Sequence, residues 1–404
     1  MTKSICKKIL FILPVMHGGG AERVAAQIAN EMHSRGIKVT FVLTSDALKQ
    51  VKRTDLSEDI PLITVQDSLG KEGTISKLCY GIKGLFSSLL CKPFETLGKP
   101  VPAYFAKISL SAEHHREIRK MKDIISEQKY ATVISFLQPS IPITLLAAKN
   151  LPNKVILSER GNPQRLMKKR YGRKFIEKYY QRADRIVFQT DDARNVYPRN
   201  VAEKGVVISN PIKANLPEPY HGERNKYITT FCRISPEKDL LTLIKAFYLV
   251  HQKHPDYQLK IIGDAINENE IQYKQELFEY IQKHDLINYI VFKPFTKRVH
   301  KEIIHDAMYV NSSVTEGLSN AMLESMAIGL PVICTDCPIG GARATIIHEV
   351  NGLLTEVGNA EKLADKMLLL IDNNVLSNQI SNDSVKVRKE KSLQSITDQW
   401  VGVL

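Results

Sequence analysis

Residues 315–332 read TEGLSNAMLESMAIGLPV, and they set a loop, a helix and the start of a strand in that order. Ser319 is a natural N-cap, because its hydroxyl accepts from backbone N–H groups of the turn that follows. Helical spacing runs from about Asn320 to Ile328, and Gly329 with Pro331 ends it. The first N–H groups of such a helix, from about Asn320 to Leu323, have no partner within it and carry the positive end of its dipole. That makes the turn a phosphate site. Two carboxylates flank it, Glu316 on the loop and Glu324 in the helix. Carboxylates accept hydrogen bonds from hydroxyls, so the spacing suits a ligand of the form sugar–diphosphate–ribose, with its anionic middle on the helix start.

A diphosphate also needs mobile cations. The stretch FCRISPEKDLL (231–241) supplies Arg233 and Lys238 just after a strand candidate. Arginine grips phosphate oxygens two at a time, lysine adds a point charge, and both offset charge on a leaving diphosphate. The plainer alternative for each is a surface ion pair with Glu237 or Asp239.

Outward from this turn, short apolar strands alternate with helix-period segments, the pattern of α/β folds with parallel sheets. KKILFIL, VTFVLT, ATVISF, KVILS and RIVFQ are strand candidates in the first half, YITTFC, QLKIIG, YIVFK and PVIC in the second. Helices are expected at 21–34, where Val24, Ala25, Ile28, Ala29 and Met32 keep a 3.6 period, and at about 238–253, 268–283, 319–328 and 360–371. SNPIKANLPEPYHGERNK (209–226), rich in Pro, Asn and charge, reads as a linker. The expected division is a domain over 1–209, a second over 210–390, and a helix at 391–404, with Trp400, packing back across them. A chain of 404 residues is long enough for two such cores.

In VMHGGGAER (15–23), Gly18, Gly19 and Gly20 follow the first strand and open a helix. Either their N–H groups meet an anion there, or glycine serves only a tight turn. The spacing is not G-x-G-x-x-G, which argues against a dinucleotide site.

Charge is unevenly spread. Residues 1–200 hold 34 Lys/Arg against 18 Asp/Glu, whereas residues 201–404 hold 22 against 25. The first half therefore suits an anionic partner. RLMKKRYGRKFIEKYYQRADR (165–185) sets Met167, Tyr171, Phe175 and Tyr179 four apart among cations, either as a core-packed helix with a basic face or as a membrane or nucleic-acid surface. KLCYGIKGLFSSLL (77–90) places Leu78, Ile82, Leu85, Phe86 and Leu89 on one face. Two such elements favour an anionic membrane over nucleic acid. ILFILPVM near the N-terminus is short and carries Pro14, so it reads as a buried strand rather than a signal segment, and no long apolar run predicts a membrane span. A cytoplasmic protein, peripheral at the inner membrane face, is expected. Six scattered cysteines fit a reducing compartment. Cys334 and Cys337 form a lone C-x-x-C, weak support for zinc, with Cys334 ending a strand and Cys337 starting a loop as the plainer reading. No metal or other cofactor is expected.

GGGAERV, CRISPEKDLLTLIKAF and EGLSNAMLESMAIGLPVICTD together resemble the GT4 family of retaining glycosyltransferases with the GT-B fold, whose E-x7-E motif the glutamate pair matches. SERGNP, SNPI and CPIGGARATI resemble the bacterial branch that builds capsular, exopolysaccharide or lipid-linked glycans. The resemblance implies two Rossmann-like doubly wound parallel-sheet domains facing a central cleft. It implies that Arg233 and Lys238 bind the donor diphosphate, Glu316 the transferred sugar and Glu324 the ribose. Backbone N–H groups of Gly317, Leu318, Ser319 and Asn320 would contact sugar and phosphate, and Gly18, Gly19 and Gly20 would close over the donor. The donor would be a nucleotide sugar, a UDP-sugar by expectation, and the acceptor a polyprenyl-diphosphate-linked or other oligosaccharide, with Arg160 as an acceptor contact. One departure is that Leu137 and Gln138 stand where many relatives carry a sugar-contacting histidine. A nucleotide-sugar 2-epimerase-like isomerase and a non-catalytic membrane scaffold are the alternatives. The four charged residues and the basic half favour transfer.

Overall fold

The computed structural model describes residues 8–45, 51, 53, 55–69, 101–127, 130–168 and 172–404, with isolated positions between 82 and 99. The chain divides into two compact units, Met1–Pro211 with Ile396–Leu404, and Ile212–Ser395.

The first unit is built on a seven-stranded parallel sheet of β1 (Lys8–Leu13), β2 (Lys38–Leu43), β3 (Leu62–Thr64), β4 (Thr132–Phe136), β5 (Lys154–Ser158), β6 (Arg185–Phe188) and β7 (Gly205–Val207). The order is β3-β2-β1-β4-β5-β6-β7. Continuous apolar runs such as ILFIL in β1 are buried on both faces, as helix-covered parallel strands require. The second unit has six parallel strands, β8 (Tyr227–Phe231), β9 (Gln258–Ile262), β10 (Ile290–Lys293), β11 (Met308–Asn311), β12 (Val332–Thr335) and β13 (Leu353–Thr355), in the order β10-β9-β8-β11-β12-β13. Both units are Rossmann-like α/β domains. In each sheet the order turns back at one strand pair, β1/β4 and β8/β11, and the loops at the carboxyl ends of such a pair form the ligand crevice of an open α/β sheet.

Helix Leu393–Gly402 returns Ile396–Leu404 to the first unit. Trp400 is fully buried and stacks on Phe136 at 5.6 Å between ring centroids, and Phe136 continues through Phe11 to Phe41. The Pro- and Asn-rich stretch expected to be a linker is instead packed on the second unit beyond Pro211. Ile212 and Leu216 are buried there. The Arg224 guanidinium donates to the carbonyl of Tyr220 within the stretch and to those of Ile304, Asp306 and Gly329, binding the stretch to two separate segments.

The basic 165–185 stretch forms two short helices, Pro163–Met167 and Arg173–Tyr179, rather than one. Phe175 and Tyr179 are buried in the first unit's core, with Met167 packed against it, so these residues of the expected stripe face inward. Tyr171 lies outside the described residues, as do Leu78 and Phe86 of the second amphipathic segment, whose Ile82, Leu85 and Leu89 are exposed. Among the described residues no helix is long and apolar enough to cross a membrane.

Candidate functional site

In the second unit the crevice loops are Cys232–Asp239, after β8, and Ser312–Ser319, after β11. They are bound to each other. Val314 N–H donates to the Glu237 carbonyl at 3.0 Å, and the Ser312 hydroxyl to the Lys238 carbonyl at 2.9 Å. Two glycines hold them from behind. A Cβ at Gly263 would stand 1.8 Å from the Cys232 carbonyl oxygen, and one at Gly341 would stand 1.4 Å from that of Gly317. Only glycine permits those approaches. Gly341 thus explains why CPIGGAR accompanies the EGL turn.

The Lys238 ammonium lies on the Glu316 carboxylate, which also accepts from the Ser313 hydroxyl at 3.3 Å. Burial alone would lower the Lys238 ammonium, yet Glu316 holds it above its ordinary value. Arg233, half-exposed, meets the buried Glu270 at 3.4 Å. Three thiols surround the pair. Burial, with Glu316 adding to it, pushes Cys232 and Cys337 up to about 11, so both stay protonated at neutral pH. Cys334 is the third residue of β12, and Cys337 lies two residues beyond the strand with its thiol 4.0 Å from the Glu316 carbonyl.

Ser319 caps the helix Asn320–Ala327, accepting from Met322 N–H at 3.3 Å, and its hydroxyl is in turn held by Asn311 Nδ2. Ser319 and Ala321 line a cavity of about 20 Å³ together with Lys238, Cys232, Thr230, Tyr309 and Asn311. The helix start therefore opens beside the lysine. Leu318 is buried and anchors the turn, with Gly317 pressed on Gly341. Glu324 is turned inward, 3% exposed, with Oε2 at 2.7 Å from His300 Nε2. Sequence reasoning missed His300, since a lone histidine beside Val299 and Ile303 on a short helix carries no motif.

The first unit treats its glycine loop differently. The N–H groups of His17, Gly18 and Gly19 all donate to Glu22 Oε2, at 2.7, 2.8 and 2.9 Å. Of the two readings of this loop, the structure shows donors met by the chain's own carboxylate, folded back from the helix. Gly20 begins the helix Gly20–Ser34. Arg160 is buried. It donates to Ser158 Oγ at 2.8 Å and to Asn210 Oδ1 at 2.5 Å, and lies over the Phe136 and Trp400 rings. Burial pushes its guanidinium down to about 9, which leaves it charged at neutral pH. Its contacts are those of a residue holding β5 to the chain at Asn210.

Gln138 donates to the Tyr180 hydroxyl at 2.8 Å, and Tyr180 donates to the buried Glu159 at 2.5 Å. Burial raises the Glu159 carboxyl against the hydrogen bonds it accepts. Gln138 and Tyr180 border the larger cavity, about 180 Å³, with Leu110, Pro142, Leu166 and Phe175. Its walls are mostly apolar, whereas the smaller cavity of the second unit is lined by Lys238.

Residues 213–387 match the family model of the glycosyl transferases group 1. The matched stretch holds both crevice loops, the glutamate pair and His300. An uncharacterized glycosyltransferase of Haemophilus influenzae is 25% identical over 409 residues, 98% of this chain and all of that one. The poly(ribitol-phosphate) alpha-N-acetylglucosaminyltransferase of Staphylococcus aureus is 27% identical over 197 residues, covering 48% of this chain and 38% of that protein. Among solved structures, Anabaena HepE in complex with UDP-glucose superposes with a TM-score of 0.74 at 19% identity over 98% of both chains. TarM superposes at 0.75 with 15% identity, over 100% of this chain and 99% of that one. The fold is GT-B. The matches support a glycosyltransferase.

Proposed function

We propose that the protein is a retaining, GT4-type glycosyltransferase that moves a sugar from a nucleotide sugar, a UDP-sugar in the first instance, to a lipid-linked or growing polysaccharide acceptor in cell-surface glycan synthesis. The observation that carries this reading is the Lys238–Glu316 pair beside the start of helix Asn320–Ala327. A diphosphate arriving at that helix start takes Lys238 as its counter-ion, with Arg233 swinging from Glu270, and so releases Glu316 to accept from sugar hydroxyls. Binding and freeing the sugar contact are then one event.

In the transfer step the acceptor oxygen attacks the anomeric carbon on the face from which the diphosphate departs. The carbon–oxygen bond to phosphate breaks with its electron pair on the phosphate, a bond to the acceptor oxygen forms, and the acceptor's proton passes to the departing phosphate oxygen. Lys238, Arg233 and the helix start stabilise the charge that develops there, with no metal ion called for. Backbone groups of Gly317, Leu318, Ser319 and Asn320 are assigned to sugar and phosphate and Glu324 to the ribose, while the first unit, with its basic surplus, is assigned to the acceptor. The exposed Ile82, Leu85 and Leu89 support a peripheral position at the cytoplasmic membrane face. The HepE complexes with UDP and UDP-glucose support UDP as the carrier.

The test is thermal stabilisation of the purified protein by UDP-, GDP-, ADP- and CMP-sugars, since a ligand of the folded state raises its melting temperature. One nucleotide class is expected to stabilise it, and Lys238→Ala to abolish the response. No response to any of the four, nor to UDP, removes the donor site.

A further inference from the structure

The buried contact between His300 and Glu324 belongs to no motif in the chain. Both side chains are almost wholly enclosed, at 7% and 3% exposure, and they meet at 2.7 Å although 24 residues separate them. His300 comes from the short helix Val299–Ile303 that follows β10, and its ring stands edge-on to Phe231 at 5.7 Å. Phe231 is the last residue of β8, two before Arg233. The imidazole therefore ties the helix that carries Glu324 to the strand that delivers the diphosphate cations.

A carboxylate buried in this way is costly unless a donor meets it, and its orientation is set by the donor that does. Ser319 fixes the backbone of the helix start by accepting from Met322 N–H. His300 Nε2 holds one oxygen of the Glu324 side chain, Oε2, at 2.7 Å and so limits how the carboxylate can turn. A carboxylate already held in one orientation receives two vicinal hydroxyls at a smaller ordering cost.

We infer that His300 is a positioning residue that sets the Glu324 carboxylate to receive the ribose hydroxyls of the nucleotide. The inference rests on the proposed assignment of Glu324 to the ribose. It predicts that ribose discrimination, rather than nucleotide binding as such, depends on His300.

The experiment is calorimetric binding of UDP and of 2′,3′-dideoxy-UDP to the full chain and to Glu324→Gln, His300→Phe, His300→Gln and the Glu324→Gln/His300→Phe double variant. The unaltered protein is expected to favour UDP by about tenfold to a hundredfold, as for hydrogen bonds to a charged acceptor. Glu324→Gln and His300→Phe each bring that ratio close to one while dideoxy-UDP binds as before, and His300→Gln, which keeps a donor, restores part of it. The double variant loses no more than either single change, because both remove one interaction. It also removes the buried carboxylate that His300→Phe would deprive of its imidazole donor, so it remains readable if His300→Phe alone does not fold. If Glu324→Gln abolishes discrimination and both His300 variants retain it in full, the positioning role is overturned while the ribose assignment stands. If the unaltered protein binds UDP and dideoxy-UDP equally, the ribose assignment falls and the inference with it. Failure to bind either nucleotide overturns the donor site itself.

Discussion

In the first unit, the turn from β1 into helix Gly20–Ser34 brings three backbone N–H groups onto one carboxylate of its own, Glu22. In the second, the turn from β11 into helix Asn320–Ala327 is capped by the Ser319 hydroxyl and opens on a cavity beside Lys238. Both are strand-to-helix turns at the crevice of a parallel sheet, with glycine before the helix. What separates them is where the negative charge comes from. Glu22 stands on the third helical residue and folds back over the loop, whereas the corresponding position of the second helix is Met322, which cannot. A turn whose anion is built in is a structural element. The second turn carries no such carboxylate at its third helical residue, and Glu316 on its loop is paired with Lys238, which fits the proposed donor site.

The largest effect expected from breaking this contrast is at the open turn. Lys238→Ala should lower turnover about 10²- to 10³-fold, as the loss of a donor aimed at developing charge does, with steady-state kinetics as the check. Unchanged turnover would put the diphosphate elsewhere. Next comes the closed turn. Glu22→Ala strands donors that had shared a charged acceptor and should cost about 2 kcal/mol of stability in urea unfolding. The melting shift given by nucleotide sugar should be unaltered. A variant that kept its stability and lost the shift would make the first loop a donor contact and erase the distinction. Gly18→Ala should cost about 1 kcal/mol, since Gly18 has φ of 94° and open space where a Cβ would stand, so backbone strain is the whole penalty.

The smallest effect is on pH dependence. Because Lys238 is raised in the folded state, its contribution to stability is complete below the ordinary lysine value of about 10.4 and fades as pH climbs through the higher folded value. Unfolding midpoints of the unaltered protein and Lys238→Met should therefore converge only in strong alkali. Convergence near pH 8 would mean that the lysine is lowered, not raised.

Most of this contrast was legible one turn at a time. The Ser319 cap, the Gly329 stop and the strands flanking them follow from local chemistry, and the structure places Arg233 and Lys238 in the crevice loop after β8, as their position behind YITTFC suggested. What was not legible depends on partners far apart in the chain. Lys238 meets Glu316 across 78 residues, and Lys260 meets Asp306 across 46, in a buried pair supporting β8 through Thr229. No periodicity encodes such pairings. The three-residue strands β3, β7 and β13 are too short for alternation to show. The apolar stripe of Phe175 and Tyr179 looked the same whether it faced lipid or core, and only the surrounding helices decide that it faces core. Arg160 was expected as an acceptor contact from the family resemblance alone, and its burial against Trp400, some 240 positions away, was not legible in the sequence.

That return of residues 396–404 has a consequence for how the protein is made. The ribosome delivers the first sheet early, but the tryptophan that completes the Phe11–Phe136 stack emerges only after all of 212–395 has been synthesised. The unit translated second can finish folding first, and the earlier one waits with an apolar groove exposed, at an elongation rate of about 5–20 residues per second. For roughly ten seconds or more of each synthesis cycle, the nascent chain presents the surface that a chaperone would recognise.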